Sequence, residues 1–411
     1  MSKRSNLRSN STIRWMCAIA FLLFSFLWLY RFQADVLAAL QYVMSAGRTQ
    51  YNSLFGAVII TLILQLLQFL IYTFVFRLTN RGHALTYFPS MLTLGLISAV
   101  NTDLAQSYAW GLWWILIILV LIGWVGVCLV VKYIQNVEPD RNSIEFFSRP
   151  MWINMFLLFL MMVGVAAVGN TNAVFHYRMR AENCLLRDDY EGALDAGWES
   201  LESDIHLQMI RMYAMAQRGE LGERLFHYPI VGSSSVMLPT SGEACFVRYP
   251  VDSLYHAFGA KPARPMLPMT YLQLISKRTC QSDPDSITNS ASQTCLSGSV
   301  IDYLLCGLLI DRRLDDFVDC LQQSYTVGDS LDTSELPKHY REALTLYCHS
   351  RQHPKVLYRN AVMEEDFRNL QELERKYPDA TERQGKVEDW YGDTYWYYYK
   401  YPSEMSHHIP K

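Results

Sequence analysis

Five apolar stretches mark the first part of the chain, at 15–30, 54–76, 85–100, 110–131 and 151–168. A helix needs about 20 mostly apolar residues to cross a hydrocarbon core of roughly 30 Å. The second, fourth and fifth stretches meet that need. The first is short between Arg14 and Arg31, but both side chains can reach back to the interface and lengthen it. The third carries Pro89, Ser90, Thr93, Gly95 and Ser98 and ends at Asn101-Thr102-Asp103, so its apolar content alone leaves a full crossing open. After residue 171 the pattern changes to helical spacing with short polar breaks. The pattern predicts an all-α chain: a polytopic transmembrane bundle of about five helices over 1–171, then a soluble helical domain over 172–411.

The breaks in the second half fall in pairs of helices. One pair turns at Arg187-Asp188-Asp189 and resumes near Tyr190. A second runs over 205–217, turns at Arg218-Gly219-Glu220 and resumes at Leu221. A third runs over 300–310, turns at Asp311-Arg312-Arg313 and resumes at Leu314. Pro337 stands where the first residue of a further helix belongs. The stretches 229–242 and 281–294 are rich in Ser, Pro, Thr and Gly and read as loops.

Charge divides the chain at the same place. Up to Thr171 there are 11 Lys+Arg against 5 Asp+Glu; from Asn172 there are 25 against 34. An acidic second half argues against nucleic acid, because phosphate binding needs a cationic face. The basic residues also set orientation. With the N-terminus in the cytoplasm and five crossings, Lys3, Arg4, Arg8 and Arg14, then Arg77 and Arg81, then Lys132, Arg141 and Arg149 all fall inside. The opposite loops hold Arg48 and the border residue Arg31. Without the third crossing that asymmetry vanishes. Five crossings put the tail on the far side of the membrane. Trp15, Trp110, Trp113, Trp114, Trp124 and Trp152 supply candidate interface anchors. The basic residues before the first stretch resemble a secretory signal, but Trp28, Tyr30 and Phe32 occupy the place of small cleavage-site residues, which favours an uncleaved anchor.

Candidate chemistry is sparse. Gln65 and Gln68 lie about one turn apart in the second stretch, and interhelical hydrogen bonding is favoured over a polar pathway. His83 and Asp103 flank the third stretch as interface residues. Gly95 and Ala99 make a small-xxx-small pair suited to close helix packing. Cys17 and Cys128 read as packing residues. Cys184, Cys245, Cys280, Cys295, Cys306, Cys320 and Cys348 lack the paired spacing of a zinc site. An oxidising compartment permits a Cys280–Cys295 disulfide closing a loop of about 15 residues. Neither the adjacent Cys348-His349 nor the terminal His407-His408 marks a metal site. No metalloprotease, serine-hydrolase, phosphate-loop or dinucleotide motif occurs, so no catalytic, cofactor-binding or metal-binding residue is assigned. The closing aromatics, Trp390, Tyr391, Tyr395, Trp396, Tyr397, Tyr398, Tyr399 and Tyr401, read as a packed cap in preference to a stacking platform for a sugar or a partner.

The helix pairs resemble tetratricopeptide repeats, best over DDYEGALDAG at 188–197. Cys184 stands where that repeat usually has an aromatic, and Gly197 where it has a bulky apolar residue. Several spans followed by RDDYEGALDAGW (187–198), LFHYP (225–229), LPKHYREALTLY (336–347) and YGDTYWYYY (391–399) resemble an uncharacterised Bacteroidota family of multispan membrane proteins with tetratricopeptide-like tails. The resemblance implies an architecture and a bacterial envelope, with no activity attached. Two functions compete. One is a membrane-anchored scaffold whose tail binds a protein or peptide partner. The other is an envelope enzyme or transporter acting on a lipid-linked or glycan substrate. Such enzymes present several polar groups on an external loop, and the stretch 33–52 offers only Asp35 and Arg48, so the scaffold is expected.

Overall fold

The computed structural model describes residues 2–75, 82–101, 113–137, 149–239, 246–256, 258, 262, 264, 266–281, 290–325 and 336–402. The chain forms two compact units, Met1–His176 and Tyr177–Lys411. Among the described residues every regular element is a helix.

The first unit holds α1 (Ser2–Leu27), α2 (Ala34–Met44), α3 (Ser53–Leu70), α4 (Phe88–Ser98), α5 (Trp113–Val137) and α6 (Arg149–Val168). Short π turns extend α1 through Trp28–Phe32 and α3 through Ile71–Val75. Four helices among the described residues are long and apolar enough to cross a membrane: Thr12–Phe32, Ser53–Thr73, Ile115–Ile134 and Arg149–Val168. Their outward faces carry Ile19, Leu62, Ile122 and Phe156, all exposed, as lipid-facing helices require. The stretch 33–52, expected to be an external loop, contains α2. Its Val36, Leu37, Ala38 and Ala39 are buried, because an 11-residue apolar helix is too short to span but long enough to cover a bundle end.

The third apolar stretch is a composite element, not a single α-helix. His83–Tyr87 is 3₁₀, and α4 follows with Pro89 in its first turn. An α-helical bond from residue 89 to the Leu85 carbonyl is impossible, because proline has no N–H. That carbonyl accepts the Phe88 N–H instead, and also the indole Nε1–H of Trp124 at 2.9 Å. Trp124 is therefore a mid-helix donor to a broken turn rather than an interface anchor.

Specific contacts fix helix directions. Phe21 packs on Tyr87 and Trp28 bonds Ser98, so α1 runs parallel to α4. Ala84 bonds the Asn154 side chain and the Ser98 carbonyl accepts from Asn170, so α4 also runs parallel to α6. Leu64 accepts from Ser90, Gln68 bonds Thr86, and Arg14 lies over Tyr72. Helix α3 therefore runs opposite to both α4 and α1. Gly95 lies against Val165 and Val168 of α6, where an added Cβ would meet them at 3.8–3.9 Å in ordinary van der Waals contact.

The unit boundary falls within α7 (Ala173–Leu185), and the second unit goes on to α8 (Tyr190–Asp195), α9 (Ile205–Arg218), α10 (Leu221–Arg224), α11 (Val251–His256), α12 (Pro268–Gln281), α13 (Ser290–Ile310), α14 (Leu314–Ser324), α15 (Lys338–Ser350), α16 (Ala361–Lys376), α17 (Ala380–Tyr391) and α18 (Tyr395–Lys400). Three turns share one geometry. Asp188, Gly219 and Arg312 are left-handed, at φ 56°, 70° and 57°. Each N–H bonds the carbonyl three residues back, and the next N–H bonds the carbonyl five back. This closure satisfies the helix end's orphan carbonyls. Helix α8 is cut to six residues because Gly197 turns left-handed beneath the ring of Tyr177, where a Cβ would not fit. Pro337 proves to be the residue before α15, one place earlier than expected.

Candidate functional site

Three motifs singled out in the sequence meet in space in the second unit. Helix α15 supplies Lys338, His339 and Glu342; the segment after α10 supplies Phe226 and His227; the start of α18 supplies Tyr395 and Trp396, with Asp393 just before it. Glu342 is the hub. Its Oε2 lies 2.9 Å from His339 Nδ1 and accepts the Tyr395 N–H at 2.7 Å. Its main-chain oxygen accepts the Trp396 indole N–H at 2.7 Å. The Phe226 N–H points at His339 Nε2 at 3.4 Å. That nitrogen accepts, so the ring proton sits on Nδ1 and is donated to Glu342. His339 and Glu342 are fully buried. With both ring nitrogens engaged and no access, this histidine binds structure together and has no route to a substrate.

The solvent side of the same knot carries His227, Lys338 and Asp393. Lys338 Nζ holds Asp393 at 2.8 Å, and His227 Nε2 lies 3.7 Å from the same carboxylate. Partial burial works to raise the Asp393 pKa, but the Lys338 hydrogen bond and charge outweigh it and hold it below the ordinary value. Burial, with Lys338 beside it, lowers that of His227. A carboxylate committed to a lysine is a poor general base.

Other polar groups are similarly committed. Tyr340 Oη donates to Asp302 at 3.0 Å, and burial raises that carboxyl. Fully buried Glu182 accepts the Val247 and Arg248 N–H groups. Burial pushes its pKa up against those bonds and against Arg178. Fully buried Arg211 donates to the carbonyls of Ala196 and Gly197 and stacks on Tyr228.

In the first unit, Gln65 donates to Gln68, which donates to Thr86, which donates to the His83 carbonyl. The His83 ring sits edge-on to Tyr72 and Tyr87. The glutamines thus join α3 to the segment before α4. Asp103, Cys245, His407 and His408 lie outside the described residues, as do the side chains of Cys280 and Cys295. Cys17, Cys128 and Cys306 are buried thiols. The His349 ring rests on Phe367. Among the described residues no group of three His, Cys, Asp or Glu could hold a metal.

What the second unit does offer is surface. Of the closing aromatics, Tyr395 and Trp396 are buried, whereas Trp390 is 74 % exposed. Tyr391 Oη bonds the Asp366 carbonyl, which pairs the end of α17 with the start of α16. At that end Val362 is exposed, and Leu357 just ahead of α16 is 74 % exposed. Sequence reasoning grouped Trp390 with its buried neighbours, because adjacent aromatics give no signal of which face they occupy.

A profile described as "Family of unknown function (DUF6057)" matches residues 279–402. The matched segment contains the motifs at 336–347 and 391–399, so the likeness to an uncharacterised family has a defined location. No curated protein and no solved structure matches the chain.

Proposed function

We propose that this protein is a membrane-anchored scaffold of the bacterial cell envelope whose helical tail binds a protein or peptide partner. The observation that carries the reading is the exposed trio Leu357, Val362 and Trp390 at one end of the α16–α17 hairpin. Tryptophan and aliphatic side chains left in water on a folded surface are the usual anchors of a protein interface. The polar groups that could do chemistry nearby are spent on holding helices together.

In this reading the N-terminus is cytoplasmic, the tail is periplasmic, and the membrane is the inner membrane of a Bacteroidota cell. The shared turn geometry at Asp188, Gly219 and Arg312 supports treating the helix pairs as tetratricopeptide-like repeats. Stacked pairs present area rather than a deep reactive pocket.

The test is photo-crosslinking in native membranes, with benzoylphenylalanine replacing Trp390 in the full chain. A discrete protein adduct from this site, absent from a probe at exposed Phe156 in α6, is expected. Full complementation of a deletion strain by a variant carrying Leu357→Ser, Val362→Ser and Trp390→Ala, with no adduct at 390, would overturn the reading.

A further inference from the structure

A cleft of about 630 Å³ opens where the last turn of α16, the first turns of α17 and the end of α18 meet. Arg375, Arg383, Lys400 and Tyr401 line it, together with Gln371 and a single acid, Glu374. From Asn172 onward acids outnumber bases by 34 to 25, whereas the cleft carries three cations and one acid.

The charges are also unequally used. Glu374 is consumed from within: Lys400 Nζ donates to one carboxylate oxygen at 2.8 Å and Tyr401 Oη to the other at 3.1 Å. Neither Arg375 nor Arg383 has a carboxylate partner among the described residues. The carbonyls of Tyr377 and Pro378, 3.5 and 3.4 Å away, and the Tyr401 phenol steer the Arg383 guanidinium, which meets no carboxylate directly among the described residues. Guanidinium forks match the paired oxygens of carboxylate and phosphate. The whole cleft falls inside the matched segment 279–402.

We propose that this cleft binds an anionic small molecule through a carboxylate or phosphate group, held by Arg375 and Arg383, with Glu374 acting as an internal competitor for Lys400. The proposal is independent of the partner-binding surface. It makes an unusual demand: removing the acid strengthens binding, because Lys400 is then freed for the ligand.

The experiment is calorimetric titration of the full chain in nanodiscs, at low salt, with inorganic pyrophosphate in one arm and tricarballylate in the other. Saturable binding of at least one probe is expected, and the arm that binds names the group recognised. Arg375→Ala and Arg383→Ala should each weaken it by about tenfold, as loss of a charge-assisted contact does, with the melting temperature unchanged. Glu374→Gln should tighten it. Arg375→Lys with Arg383→Lys keeps the charge but loses the fork, and should fall between the native chain and the alanine variants. Absence of saturable binding in both arms overturns the proposal. So does binding that the alanine variants leave unchanged, or that Glu374→Gln fails to strengthen.

Discussion

Oε2 of Glu342 lies 2.9 Å from Nδ1 of His339, and both side chains are sealed from water. One carboxylate thus receives the imidazole of its own helix and the first N–H of α18. Replacing it leaves buried donors without acceptors, each costing about 1–3 kcal/mol. Glu342→Ala should destabilise the second unit by about 3 kcal/mol. Glu342→Gln, which keeps one acceptor oxygen, should cost less. Chemical denaturation of the full chain, followed by far-ultraviolet circular dichroism, gives the comparison. Equal stability of the alanine variant and the native chain would show that the knot is not held by this residue.

Glu182 makes a prediction about pH. Burial raises its folded pKa above the ordinary 4.5. Between those two values the folded chain holds a proton that the unfolded chain has released, so stability falls as pH rises through that window. Acidification from neutrality towards 4.5 should therefore add stability through this group. Glu182→Gln mimics the protonated form and should flatten that part of the curve. Melting temperatures of both proteins across the window test it, and an unchanged slope in the variant would contradict the assignment.

Much of the architecture was legible in the sequence because it is written in local periodicity. The apolar stretches near 15–30, 54–76 and 151–168 became helices, and the turns at 187–189, 218–220 and 311–313 are where the chain turns left-handed. The misses share a cause. Helix α2 is too short to announce itself by length. The break at Pro89 was visible, but not that Trp124 would fill the hydrogen bond it vacates. His339 and Glu342 stand three residues apart, while their acceptor and donor relations depend on Phe226 and Tyr395, which only the fold brings near. The exposure of Trp390 beside buried Trp396 is decided by which side of a helix faces the core, and a run of consecutive aromatics hides that phase.

Helix direction bears on the number of crossings. The composite 83–98 element combines five 3₁₀ residues and eleven α residues. At rises of about 2.0 and 1.5 Å it reaches roughly 26 Å. It runs beside α6 from Asn154 to Asn170. An element that tracks a membrane-length apolar helix over that distance is expected to cross with it. With α1 and α6 parallel, the N-terminus and the tail should lie on opposite sides. An alkaline phosphatase fusion after Arg180 should be active, and one after Arg141 inactive. The reverse pattern would exclude five crossings with a cytoplasmic N-terminus.

Asn170 gives the sharpest test of the first unit. Its N–H donates to the Ser98 carbonyl and its Nδ2 to the Val100 carbonyl, each at 2.8 Å. Its own carbonyl accepts from Gln33 at 3.0 Å and lies 2.8 Å from His176 Nε2. Its Oδ1 accepts the Asn172 N–H at 2.9 Å. One residue after α6 therefore ties the ends of α1 and α4 to the approach to α7. Two of these contacts need the side-chain amide, and only its nitrogen can serve Val100. Asn170→Ala should remove a half-buried donor to Val100 and cost about 1 kcal/mol. Asn170→Asp should cost more, because a carboxylate oxygen would face the Val100 carbonyl with no proton between them. Gln33→Leu should be milder, since Gln33 Oε1 is already buried without a partner among the described residues. Thermal unfolding of the three variants in detergent should rank Asn170→Asp as the least stable, then Asn170→Ala, then Gln33→Leu. An aspartate variant as stable as the native chain would mean that the amide does not donate to Val100, and that the clasp is held by its main-chain bonds alone.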